Sequence, residues 1–198
     1  TSLVLDILSW LRLLNDYHDN TAAYRVCNFS SWRLPPEDLT KILHLARKKA
    51  WSVFFTLKRQ ALLELQPDTR QKIERLLGLA GKHLGLMSSA TARKMTQLFL
   101  EESGYLKNII AREKTEPVKY SRDILYLNKF IETLTEFEKN RAEKNVKNYL
   151  AELDYVLESG EEGSLSGLVN EGPEAIKIMT VHSAKGLEFK YVFIANLV

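Results

Sequence analysis

Hydrophobic positions recur at three- and four-residue spacing through most of this chain, and the recurrence predicts a succession of amphipathic helices. In residues 2–17, Leu3, Ile7, Trp10, Leu11 and Leu14 form a wide apolar face behind Ser2, a candidate cap. Asp19 and Asn20 break the pattern and signal the start of a second helix over 21–29, with Val26 and Cys27 on its apolar side. Pro35 and Pro36 open a third, whose first turn carries Glu37 and Asp38, acids that favour the positive end of the helix dipole. From there the periodicity reads as helical from Leu39 to Leu65. A further helix is expected after Pro67, with Asp68 as its cap and Ile73, Leu76, Ala80 and Leu84 on its stripe; Gly78, Gly81 and Gly85 suggest close packing there. After a break at 88–91, helices are expected through Leu100, over 105–111, over 121–139 and over 146–157, with a loop from 112 to 120.

The pattern changes towards the end of the chain. Residues 159–174 hold several acids and the glycines Gly160, Gly163, Gly167 and Gly172, which reads as a linker. Two short runs rich in β-branched and aromatic residues, 176–181 and 191–195, then flank a polar loop closed by Gly186. Strand, loop, strand is the reading. Alternation puts Ile176, Ile178, Thr180 and His182 on one face and Met179 and Val181 on the other, so both faces are largely apolar, as in α/β sheets. Ligands gather beyond the carboxyl ends of such strands, where His182, Ser183, Lys185 and Glu188 lie. The expected fold is therefore mainly α, a helical body over 1–158 followed by a linker and two β-strands of a truncated α/β domain at 175–198.

The segment 179–189, Met-Thr-Val-His-Ser-Ala-Lys-Gly-Leu-Glu-Phe, resembles motif V of the UvrD/Rep/PcrA group of superfamily 1 DNA helicases, matching at Thr180, His182, Lys185, Gly186, Leu187, Glu188 and Phe189. The early segments Leu11-Arg12-Leu13-Leu14-Asn15 and Asp19 to Phe29 also resemble the start of the helical 2B subdomain of those enzymes. The resemblance implies a 2B-like helical body returning to the second RecA-like domain. By it, Thr180, His182, Ser183 and Lys185 would contact single-stranded DNA, and Gly186 and Glu188 the nucleotide. It further implies ATP and Mg²⁺ in a longer parent protein, 3'→5' translocation, and the remaining helicase domains as partners. Where the family commonly carries Gly-Ile-Gly, this chain has Arg33-Leu34-Pro35, so contact of that turn with duplex DNA is left open. A helicase-nuclease subunit of RecB or AddA type, and a non-catalytic helical interaction domain, are the alternatives.

Composition changes this picture little. The 198 residues have 28 Lys and Arg against 25 Asp and Glu, a net charge of +3 that permits nucleic-acid contact without requiring it. Charge position says more: no acid falls between Asp38 and Glu64, a stretch containing Lys41, Arg47, Lys48, Lys49, Lys58 and Arg59. Arg33, Arg47, Lys48 and Lys49 are candidate phosphate contacts. The one cysteine, Cys27, reads as a buried hydrophobe, and His18, His44 and His83 lack partners at metal-ligand spacing. No Gly-x-x-x-x-Gly-Lys-(Ser/Thr) run and no Asp-Glu dipeptide occurs, so this chain alone is expected to bind no ATP or Mg²⁺ and to hydrolyse nothing. Without a signal-peptide pattern or an apolar run of about 18 residues, the expectation is a cytoplasmic protein with no membrane partner. Thr1 in place of Met, and a motif close to the last residue, lead to the expectation of a piece of a longer protein, which self-associates through unpaired strands.

Overall fold

The computed structural model describes residues 2–159 together with Val192 and Phe193. Nine α-helices are present among them: α1 (Ser2–Asn15), α2 (Asn20–Cys27), α3 (Pro36–Lys49), α4 (Val53–Lys58), α5 (Pro67–Leu84), α6 (Ala92–Glu102), α7 (Tyr105–Ala111), α8 (Pro117–Asn140) and α9 (Val146–Ser159). A single 3-10 turn, Gln60–Leu62, follows α4. No strand occurs among the described residues. The strands expected at 176–181 and 191–195 lie outside them except at Val192 and Phe193, which are exposed and have no regular secondary structure. The linker expected at 159–174 likewise lies outside, apart from Ser159, which the structure places in α9.

Helix α1 is the centre of the body. Leu3, Val4, Ile7, Trp10, Leu11, Leu13 and Leu14 are all buried, and α2, α5, α6, α8 and α9 pack around it. A helix apolar on nearly every side has to be enclosed in this way. Trp10 stacks on Phe99 of α6 with ring centroids 5.3 Å apart and lies 6.0 Å from Trp32, while Phe29 meets Trp32, Phe99 and Tyr105 within 6 Å. Cys27 is fully buried beside this cluster, and burial pushes its thiol up to about 12.

His83 is the satisfied core residue that its surroundings required. Trp Nε1–H can only donate, so the 3.0 Å bond from Trp10 makes His83 Nδ1 the acceptor and places the proton on Nε2, which faces Glu102 Oε2 at 3.3 Å. Burial lowers the imidazole pKa, only partly opposed by Glu102. The neutral form is therefore favoured in the folded state. Its contribution is complete above the unfolded value near 6.5 and is lost as pH falls from there through the folded value. Urea unfolding at pH 7.5 and pH 5 is expected to show lower stability at the acid end. In His83→Gln, which keeps an acceptor and a donor but does not titrate, that difference is expected to shrink; an unchanged difference would remove His83 from the acid response.

Several boundaries differ from the sequence reading. The helical pattern over 39–65 is broken by Ala50, whose left-handed conformation (φ 52°) ends α3, with the Trp51 amide reaching back to Ala46 O at 2.9 Å. Ser52 Oγ then caps α4 through the Phe55 amide at 3.2 Å, and Asn20 Oδ1 takes the Val53 amide at 2.8 Å. Helix α5 begins at Pro67 with Gln66 in the cap position, so Asp68 stands in the first turn and is not the cap. The positions where side chains would project from Gly78 and Gly81 have no neighbour within 4 Å, which corrects the expectation of close packing. Gly104, by contrast, has φ 77° and starts α7 in a conformation that favours glycine. Helix α8 begins at Pro117, four residues earlier than the periodicity indicates, because proline at the first helical position needs no hydrophobic stripe.

Candidate nucleic-acid interface

The motif residues Thr180, His182, Ser183, Lys185, Gly186 and Glu188 lie outside the described residues. Their counterparts in the helical body, Arg33, Arg47, Lys48 and Lys49, are all exposed, but the structure does not bring them together. Arg33 precedes α3 and the other three form its last turn, a separation of about 20 Å at 1.5 Å per helical residue.

The turn before α3 is built by alternation. Trp32 and Leu34 are buried, with the Trp32 indole donating to Val26 O at 2.7 Å, so Arg33 between them must face outward. The amides of this turn are already used: Arg33 N donates to Phe29 O at 2.7 Å and Leu34 N to Cys27 O at 3.0 Å. Pro35 and Pro36 have no amide hydrogen. Backbone donation to a phosphate, the role the family's glycines would serve, is closed at residues 33–35, and of these three residues Arg33 alone has a side-chain donor.

The basic stretch after Asp38 divides into two kinds of cation. Lys41 is committed to the protein, bonding Asp38 Oδ1 at 3.0 Å and Glu64 O at 2.8 Å. Lys58 and Arg59 lie over the rings of Phe54 and Phe55, at 5.1 and 5.3 Å. Arg47, Lys48 and Lys49 have no side-chain partner among the described residues, and they crowd the negative end of the α3 dipole, which favours cations there whether or not a ligand arrives.

Two buried acids that periodicity did not single out hold these pieces in place. Asp38 is fully buried; besides Lys41 it accepts the Gln66 amide at 3.0 Å, which ties the start of α3 to the start of α5. Burial alone would raise its carboxyl pKa, but its hydrogen-bond donors, the Gln66 amide and Lys41 among them, bring it below the usual carboxylate value. Asp6 on α1 accepts from Arg25 Nε at 2.6 Å and from the Tyr105 hydroxyl, linking α1, α2 and α7. Burial raises the Asp6 carboxyl despite these donors, and burial beside Asp6 raises the Tyr105 phenol strongly. An acid in an otherwise apolar helical face was the available signal for both.

Among the described residues no cluster of three His, Cys, Asp or Glu could hold a metal ion, and no helix is long and apolar enough to cross a membrane. What the geometry defines is an all-helical body with exposed, unpaired cations at two ends of α3. The sequence model of the UvrD-like helicase C-terminal domain matches residues 1–198. The chain belongs to that family. It is 28% identical over 200 residues to the ATP-dependent DNA helicase PcrA of Leuconostoc citreum, covering 98% of this chain and 26% of the relative. Its identity to the PcrA helicases of Staphylococcus aureus and Staphylococcus epidermidis is 24% over 196 residues, again 98% of this chain and 25% of each relative. The chain thus spans about a quarter of the length of the curated relatives it matches.

Proposed function

We propose that this chain is a part of an ATP-dependent DNA helicase that translocates 3'→5' on single-stranded DNA, with residues 1–158 as a 2B-like body and 175–198 as the first strands of the second RecA-like domain. The observation that carries the reading is the family match over the whole chain, joined to the seven motif positions between Thr180 and Phe189. In this reading Thr180, His182, Ser183 and Lys185 grip the DNA backbone, hydroxyl and imidazole being donors that hold a phosphate and release it. Glu188 accepts from the nucleotide ribose and Gly186 lets the backbone approach the phosphates. ATP and Mg²⁺ are bound by domains of the parent protein, which is cytoplasmic, and the isolated chain hydrolyses no ATP. Unpaired strands at 176–181 and 191–195 would make that isolated chain self-associate.

Replacement of Gly-Ile-Gly by Arg33-Leu34-Pro35 favours a second reading, a module of a helicase-nuclease subunit, in which the same motif serves the same coupling. The test is common to both. In the full-length parent, His182→Ala and Glu188→Ala are each expected to lower DNA-stimulated ATP hydrolysis by about tenfold to a hundredfold, the scale of misplacing reacting groups by an ångström. Unchanged hydrolysis and unwinding in both variants would end the reading.

A further inference from the structure

A polar cleft of about 590 Å³ opens between the turn before α3, the start of α1, α7 and the first turns of α8. We infer that this cleft is a phosphate-binding site, seated on Arg33 and Arg122 and completed by Lys119. It shares Arg33 with the reading above but rests on the geometry of the cleft, so failure of the motif assignments would leave it standing.

The cleft brings together cations that are distant in sequence. Arg33 is directed outward by burial of Trp32 and Leu34 on either side of it. Lys119, Arg122, Asp123 and Tyr126 recur at three, four and seven residues along α8, which places them on one face of that helix, and all four line the cleft.

Its acids are already answered by the protein. Asp6 at the floor takes Arg25 and the Tyr105 hydroxyl, and Asp123 takes Arg112 at 3.4 Å. Lys119 shares an exposed pair with Glu116 at 3.1 Å, of the kind that exchanges readily for a stronger anion. Arg33 and Arg122 have no acidic partner among the described residues. Two unpaired guanidiniums facing one concave, polar space suit a phosphate, whose oxygens accept paired N–H donors, better than a monovalent carboxylate. The shared chemistry is the phosphate group, whether from a nucleic-acid backbone or a free phosphate.

The experiment uses the 198-residue chain. Nitrogen-15 NMR with inorganic pyrophosphate, and separately with a short duplex oligonucleotide, is expected to shift the Nε–H signals of Arg33 and Arg122 with either probe. A shift with both identifies backbone phosphate as a source, and a shift with pyrophosphate alone identifies a small phosphate ligand; either supports the site. The double variant Arg33→Gln, Arg122→Gln is expected to weaken binding by about tenfold and, for the duplex, to reduce the slope of log affinity against log salt by about 2. A control with Lys94 and Lys147, exposed cations that do not line the cleft, each changed to Gln is expected to leave pyrophosphate binding unchanged. Both arginines are exposed, and circular dichroism checks that the fold persists. Signals of Arg33 and Arg122 that stay unmoved by both probes, or binding lost only in the control, would overturn the proposal.

Discussion

Trp10→Ala is expected to lower the unfolding free energy by about 3–5 kcal/mol, the cost of removing a large aromatic side chain from a packed interior. Trp10 has no exposed surface and lies where α1, α5 and α6 meet. Its removal opens a cavity against Phe99 and Trp32, and it also leaves His83 Nδ1 without a donor. A buried acceptor left unpaired adds about 1–3 kcal/mol in its own right, so the two losses together place this substitution at the upper end. Trp10→Phe separates them, since it keeps a ring in the cavity and deletes only the N–H. Urea unfolding followed by circular dichroism measures both. A loss below about 1 kcal/mol in Trp10→Ala would show that the core closes around the gap and that the aromatic cluster is not its centre.

Asp38→Ala is the second large effect, expected at about 2–3 kcal/mol from the loss of charge-assisted hydrogen bonds and the orphaning of a backbone amide. The carboxylate holds the Gln66 amide, at the cap position where α5 lacks a side-chain cap, together with Lys41. Asp38→Asn keeps the shape and one acceptor and is expected to lose about half as much. The pH dependence has a definite sign. The folded carboxyl titrates below its ordinary value of 3.8, so its contribution is present above that value and is lost as pH falls through the folded pKa. Acid unfolding of Asp38→Asn is therefore expected to be shallower than that of the parent. Equal stability of Asp38→Ala and the parent at pH 7 would show that this carboxylate does not hold the start of α5 to α3.

The helices themselves were largely legible, because each buries one stripe and closes its ends with local chemistry. The 105–111 helix matches its expected limits, Asp19 caps α2 through the Ala22 amide, and Pro36 begins α3 with Glu37 and Asp38 in its first turn. Cys27 is the small buried hydrophobe its neighbours implied. Where the reading failed, the competing signal was weak in the sequence. The break at Ala50 places a non-glycine residue in the left-handed region, which costs about 1–2 kcal/mol locally and persists only because α3 and α4 pack on one another. Helix α8 extends back to Pro117 through Val118 and Lys119, exposed residues that leave no hydrophobic period to detect. The motif between Thr180 and Phe189 was legible as a pattern, and the family match over residues 1–198 agrees with the resemblance drawn from it.

Sequence by itself determined the helical class, most helix limits and the family, since periodicity, caps and short motifs are properties of neighbouring residues. Tertiary structure alone decided which charges are spent and which remain. Lys41 and Arg33 look equally available in the chain, yet Lys41 is consumed by Asp38 and Glu64 O, while Arg33 is turned into a cleft whose other available cations come from α8. That distinction depends on residues roughly ninety positions apart meeting across α1, and no local pattern encodes such a meeting, because its energy comes from burying the helix between them.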